Sequence, residues 1–596
     1  MAEKSTTFSR KERLTLNEIY DLLDELDNEE VDISVNPPLE DPDADTDQDS
    51  DASDDEVTCN PDHLPRRILA TDVAIDIARH VENDSEKTND EEFLPSTSKE
   101  PAKKRQRKGF EWHRNKMRVN NAVPDFVQQP NEEIDKLKEK VNNPVDCINL
   151  FWTEQWIEEL CHQSTIYAEQ KSLSKDHITP QNMKIFLSVL ILSGYNKLPY
   201  RRMYWSETPD VFNNLVSESI RRDTFDKILR SLHFADNMKM TDDRFYKVRP
   251  LFQHLNSVSN LQFQQEFHSI DEIMIPYYGK HGAKQFIRGK PVRFGFKVWA
   301  ACTSDGSLLY CEPYCGSDTK IPDIGLGQGP NVVVEMSNKN NLQAGQHAVF
   351  DNLFTSLPLL ENLANRGIGG TGTLREDRLH GAPLMEKKEM EKKKYRGYME
   401  EAFTGSTSVV KWKDNKVVSV ASNKVRMLPV QKTGRWSKLE KKHIEVDMPN
   451  SIQVYNKQMG GVDIFDQQVS AYRIRIRSKK WWWPIFAWSI NAQVVNSWML
   501  YRKLGNTIPL LDFIRHFVIA IMKQYGAPRT SPGPKRLSVG IAKDSVRYNG
   551  EQHWTKKGEQ RHSRCRECSR RTKYICNMCS VPLHPECMEP YHKIHL

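Results

Sequence analysis

The chain has 596 residues and 38% hydrophobic content, enough for two to four domains with a large core. Its longest apolar stretch, around Ile185 to Leu192, falls short of the roughly 20 residues that span a bilayer. With no secretory apolar region near the start, a soluble intracellular protein is expected. The net charge of +5 hides an asymmetry: residues 1–100 hold 9 Lys/Arg against 30 Asp/Glu, leaving about +26 on the rest. A basic body gains affinity for a polyanion by releasing counterions from phosphates, although membranes and acidic proteins also fit.

Residues 1–98 read as disordered, with ten acids and no base between Glu40 and Glu56, because so little apolar surface cannot offset chain entropy. Within them Leu16, Ile19, Leu22, Leu23 and Leu26 recur at helical spacing and form either a short docking helix or a transient one. The run Lys103, Lys104, Arg105, Gln106, Arg107, Lys108 suits nuclear import machinery, with a solvated linker as the alternative. From about Val145 to Asn260 the apolar period is helical. Inside that stretch Tyr200 to Trp205 interleaves bases with aromatics, fitting either nucleic acid or a core edge.

Strand-like text begins near Phe267 and continues at Val298 to Thr303, Leu308 to Glu312, His347 to Phe350 and Thr371 to Leu374, alternating with helical text such as Leu357 to Arg366. This mixture predicts an α/β layer. A second β-rich segment, Ser408 to Ser422, has a turn at Lys413 to Lys416 and reads as an insertion, and helical periodicity returns from Gly460 to Leu504.

Three aspartates follow apolar or glycine-rich runs: Asp271, Asp351 and Asp463. A partly desolvated acid needs a cation or hydrogen bonds, and hard carboxylates clustered around Mg²⁺ are one solution, caps and turns being the plainer one. Two cations held by such acids can serve in-line phosphoryl transfer on DNA. Asp466, three residues after Asp463, either assists or caps a helix. Arg288, Lys290, Arg293 and Lys297 follow the first acid, lining a DNA channel or decorating a solvated hairpin. Arg473, Arg475, Arg477, Lys479 and Lys480 alternate in part with apolar residues and are expected to contact DNA, with Trp481, Trp482 and Trp483 packing.

Of eleven cysteines, Cys59, Cys147, Cys161, Cys302, Cys311 and Cys315 are scattered, as in a reducing compartment. The other five belong to a tail of four ligand pairs: Cys565/Cys568, Cys576/Cys579, His584/Cys587 and His592/His595. Paired Cys/His ligands in this order predict a cross-brace with two structural Zn²⁺ ions. One is expected on Cys565, Cys568, His584 and Cys587, and the other on Cys576, Cys579, His592 and His595, with His553 or His562 able to replace His595.

Taken in order, Ile270-Asp-Glu, Gln285-Phe-Ile-Arg-Gly-Lys-Pro, Phe350-Asp-Asn-Leu-Phe-Thr-Ser, Val454-Tyr-Asn, Gly460-Gly-Val-Asp-Ile-Phe-Asp-Gln and Arg477-Ser-Lys-Lys-Trp resemble the piggyBac transposase family from roughly Asn149 onward. The resemblance implies an RNase H-like catalytic core in which Asp271, Asp351 and Asp463 match the catalytic acids and Asp466 an additional one, served by two Mg²⁺ ions. It further implies hairpin-ended excision, insertion at TTAA, a homodimer on double-stranded DNA in the nucleus, and transposon-end contacts by the zinc tail.

With it the chain divides into an acidic region with a basic cluster (1–110), a helical dimerisation and DNA-binding domain (111–262) and the first part of the core (263–375). An insertion (376–450), the second part of the core with a helical DNA-binding segment (451–530), a linker (531–560) and the double-zinc domain (561–596) follow. The alternative is a domesticated, catalytically inactive DNA-binding or chromatin-associated regulator built on the same fold.

Overall fold

The computed structural model describes residues 110–114, 123–128, 132–262, 265–287, 290, 292–437, 440–526, 547, 553–558 and 563–593, plus the backbone of short strands at 14–15, 33–36 and 72–77. The expected import run, Arg288 and most of the acidic region lie outside these residues. The chain forms two compact units, Met1–Gly526 and Ala527–Leu596.

The first unit opens with helices α1 (Glu132–Lys140), α2 (Pro144–Phe151), α3 (Glu154–Gln170), α4 (Pro180–Tyr195), α5 (Asn214–Ser219), α6 (Arg222–Ser231) and α7 (Arg249–Ser259). Their starts are set locally. Asn143, Thr153 and Thr179 accept hydrogen bonds from first-turn N–H groups, and Pro144 and Pro180 stand where a missing N–H costs nothing. Helix α4 is buried nearly all round, because α3 covers one side and a later helix, α14 (Leu510–Tyr525), another.

A mixed ten-stranded sheet follows. Its strands are β1 (Trp112–His113), β2 (Phe267–Pro276), β3 (Lys284–Phe286), β4 (Phe294–Thr303), β5 (Leu308–Pro313), β6 (His347–Phe350), β7 (Gly369–Thr373), β8 (Met399–Thr404), β9 (Thr407–Lys413) and β10 (Val417–Ser422). The spatial order is β1-β8-β9-β10-β7-β6-β2-β4-β3, with β5 on β4. Among these strands only β2, β6 and β7 are mutually parallel, as expected where α9 (Leu357–Asn365) crosses over between β6 and β7. The valine-rich arms β9 and β10 do not stand apart from this sheet. Strand β10 pairs with β7, so the segment extends the layer. A separate hairpin, β11 (Gln431–Ser437) with β12 (Lys442–Met448), packs Val446 and Met448 against Trp412, Val420 and Ile452.

One face of the sheet carries Ile270, Trp299, Val409 and Ala421 under α8 (Gln328–Lys339) and α9. The other carries Ile273, Ile275, Val298 and Ala300 under α12 (Gly461–Ala471) and α13 (Trp483–Lys503), continuous with the core of the early helices. Helix α11 (Asn450–Gln458) leads into α12. Among the described residues no helix is long and apolar enough to cross a membrane.

Candidate functional site

The last facing pair of the parallel β2–β6 ladder is Ile270 with Phe350, so Asp271 and Asp351 are each the next residue on neighbouring strands. Strand β6 ends at Phe350, and the Asp351 carboxylate accepts the Leu353 N–H at 2.8 Å, turning the chain toward α9. Helix α12 brings Asp463 in its first turn and Asp466 on the next. The helix is pinned to the sheet where the Ser269 hydroxyl donates to the Met459 carbonyl, two residues from Asp271 on the same face. Gly461 makes that approach possible: a Cβ there would lie 2.3 Å from the Thr303 carbonyl oxygen.

The acids act on one another. Burial, the Glu272 charge and, more weakly, Asp351 push the Asp271 carboxyl well above its usual range. Burial first and Glu272 second raise Asp351, and burial with the Asp463 charge lifts Asp466 to about 6. Glu272 goes the other way, held down against its burial by Lys297 and Lys290. Lys290 Nζ stands 4.0 Å from Asp271 Oδ2 and 3.4 Å from Glu272 Oε1, and it also feels Asp463. Tyr455, bonded to Thr373, is pushed to about 12 by burial beside Asp351, Asp271 and Asp463. Hard oxygen donors surrounding a side-chain cation are the chemistry of a Mg²⁺ site.

The basic residues named from the sequence are placed unequally. Arg293, Arg475, Arg477 and Lys479 are exposed, while Arg473 is half-buried near Asp466. Lys297 lies 3.9 Å over the Trp299 ring. Lys480 requires correction as a DNA contact: it is 3% exposed, donates to the Arg230 carbonyl at 3.0 Å and sits over the Trp482 and Tyr167 rings. At the start of α13 the basic stripe gives way to core, and Trp482 and Trp483 are buried with it. Glu272 and Tyr455 were not singled out from the sequence. Glu272 follows an acid in a strand, where alternation assigns it to the opposite face.

In the second unit, β13 (Thr555–Lys557) pairs with β16 (Tyr574–Cys576), and β14 (Ser563–Arg564) with β15 (Arg571–Thr572). Two like turns present the cysteines. Ser569 N–H donates to Cys565 O and Ser580 N–H to Cys576 O, both at 2.9 Å, and both serines have positive φ, 61° and 54°. Cys565, Cys568, His584 and Cys587 gather with donor atoms within 4.8 Å of one another, as do Cys576, Cys579, His592 and His553. His595 and His562 lie outside the described residues; the place expected for His595 is held by His553, delivered by the β13–β16 ladder.

The carbonyl of Arg571 takes the Nε2–H of His584 at 2.9 Å and that of Met588 the Nδ1–H of His592 at 2.7 Å, so each ring turns its free nitrogen to the thiols. The backbone N–H of Arg570 helps draw the Cys568 thiol down to about 6. These soft, pre-aimed donors fit Zn²⁺, and Val581, Leu583, Met588 and Tyr591 form a small apolar core around them.

A family model described as Transposase IS4 matches residues 143–498. Human PiggyBac transposable element-derived protein 3 is 35% identical over 97% of this chain and 99% of its own length, and human PiggyBac transposable element-derived protein 2 is 34% identical over 91% and 90%. Among solved structures, a piggyBac transposase synaptic complex with hairpin DNA aligns at a TM-score of 0.55 with 19% identity, covering 76% of this chain and 98% of that one.

Proposed function

Because this chain belongs to the piggyBac transposase family, we propose that it is a DNA transposase whose RNase H-like core cuts and rejoins DNA with Asp271, Asp351 and Asp463. The adjacency of Asp271 and Asp351 at the end of the parallel ladder carries this reading. The core comprises β2, β6 and β7 with antiparallel β4 and β5, flanked by a helical domain before it, a β-rich insertion within it and a cross-brace zinc domain after it.

Asp271, Asp351 and Asp463 would hold two Mg²⁺ ions, with Asp466 beside them. Held there, the ions would supply activation of the attacking oxygen and stabilisation of the leaving one in an in-line displacement. The residues of the chain hold the substrate. Lys290 and Arg473 offer positive charge beside the acids, Arg475, Arg477 and Lys479 extend it along the surface, and Arg293 stands exposed nearby. Tyr455 keeps its phenolic proton and so offers a donor next to Asp351.

The substrates are double-stranded transposon ends and TTAA targets, handled by a homodimer in the nucleus, with import directed by Lys103 to Lys108. Two Zn²⁺ ions fold the tail, which contacts the transposon ends. The test is Mg²⁺-dependent cleavage of supercoiled DNA carrying candidate ends at TTAA, comparing wild type with Asp351→Asn at matched zinc content. Cleavage lost only in the variant supports a transposase. Tight binding without cleavage by either protein supports the domesticated DNA-binding regulator.

A further inference from the structure

Past Ile270, the β6 side of β2 has no strand partner among the described residues, because β6 stops at Phe350. Neighbouring residues of a strand point to opposite faces. Asp271 therefore shares the α12 face with Ser269 and Ile273, while Glu272 shares the other with Ile270 and faces Trp299 across the β4 ladder. The two carboxyls still come close enough to interact directly, and a cation that touches both comes in over that uncovered edge. Lys290 does so, 4.0 Å from Asp271 and 3.4 Å from Glu272. The Glu272 side chain is only 8% exposed, and its Oε2 atom is buried with no hydrogen-bond partner. Glu272 is thus a sheltered anchor for an ammonium group that belongs to neither face.

Building on the metal-site reading above, we propose that Glu272 is a positioning residue that holds Lys290 at the carboxylate cluster as a resident counter-cation, filling part of the site when no divalent ion is bound and competing with one that arrives. An ammonium about 4 Å from a carboxylate interacts strongly at the effective dielectric of a partly buried site, so displacing it takes a substantial share of the binding energy of an incoming ion. Its departure frees a positive charge next to the place where a phosphate would sit. Glu272 acts through Lys290 and is not itself a ligand.

The test uses the full-length, zinc-loaded protein without DNA and follows its thermal midpoint against Mn²⁺ concentration. Lys290→Met is expected to lower the half-saturating concentration roughly tenfold, the equivalent of about 1.4 kcal/mol. Glu272→Gln is expected to lower it by less, and the double variant to match Lys290→Met alone. Asp271→Asn abolishes the response. A wild-type response that Lys290→Met leaves unchanged or weakens overturns the counter-cation while the metal site stands. Weaker Mn²⁺ binding in Glu272→Gln overturns the anchor and makes Glu272 a ligand, and this comparison holds even if Lys290→Met does not fold. No response in the wild type overturns the metal-site reading, and this proposal with it.

Discussion

Asp351 sits beside Asp271 because the residues just before them, Phe350 and Ile270, face each other across two parallel strands. The pairing is built into the ladder, so neither acid can shift without the sheet. Replacing Asp351 or Asp271 by Asn is expected to lower strand cleavage by roughly a hundredfold to a thousandfold, in the range seen when a pre-organised electrostatic group is lost. Thermal stability in the absence of metal should hold or rise, because burial already disfavours both charges. Cleavage kinetics and calorimetry on the same preparations check both halves.

Gly461 bears on activity through geometry. A Cβ there meets the Thr303 carbonyl at 2.3 Å, so Gly461→Ala is expected to tilt α12, cost on the order of 1–3 kcal/mol as overpacking does, and depress cleavage further than that loss explains. Comparison with an equally destabilising core substitution remote from α12 separates the two effects.

Asp466 gives the metal-free protein a pH dependence of definite sign. Its carboxyl is raised from 3.8 to about 6, so its contribution to stability is complete below pH 4 and lost as pH climbs through 6. Asp466→Asn should therefore stabilise the metal-free protein above pH 6 by roughly 3 kcal/mol at most. Denaturant titrations at pH 4, 6 and 8 should show the gain appearing only at the higher values.

Four buried or half-buried histidines work in the opposite sense. Desolvation lowers His254, His268 and His281 to about 4 and His347 to about 3, from 6.5. Each contributes stability that is full above pH 6.5 and fades as pH falls toward the folded value, worth roughly 3 kcal/mol for the first three and about 5 for His347. Acid unfolding of the first unit is expected to set in between pH 6 and 4, and His268→Gln should move its midpoint to lower pH.

Zinc content tests the tail. Cys565→Ser should lose one ion and His553→Ala the other, or bind it far more weakly, while His595→Ala should leave both in place. Atomic emission after dialysis against a mild chelator distinguishes these outcomes.

The placement of Asp271 in a strand and of Asp351 just past the end of one was legible in the sequence, because β-rich text surrounds or precedes each acid, and the gathering of the Cys-x-x-Cys pairs was legible in their spacing. What spacing could not supply was the consequence of long-range pairing. His553 reaches Cys576 because Thr555 faces Cys576 across a ladder, a contact no ligand spacing encodes. Glu272 was hidden by strand alternation, which fails as a guide at an edge where one cation reaches both faces. Lys480 looks like Lys479 in the sequence, and only the contacts of its own side chain with the Arg230 carbonyl and the Tyr167 ring separate the buried base from the exposed one. The segment holding β9 and β10 reads as an insertion, and that it also extends the main sheet rests on the pairing of β10 with β7, more than 40 residues earlier, which spacing does not encode.

The reading of the carboxylates as a divalent-cation site is tested most directly by counting bound Mn²⁺ with electron paramagnetic resonance on the zinc-saturated protein. Wild type is expected to take up Mn²⁺ that the Asp271→Asn, Asp351→Asn, Asp463→Asn triple variant does not, with zinc content and fold unchanged; equal uptake by the two proteins would contradict it.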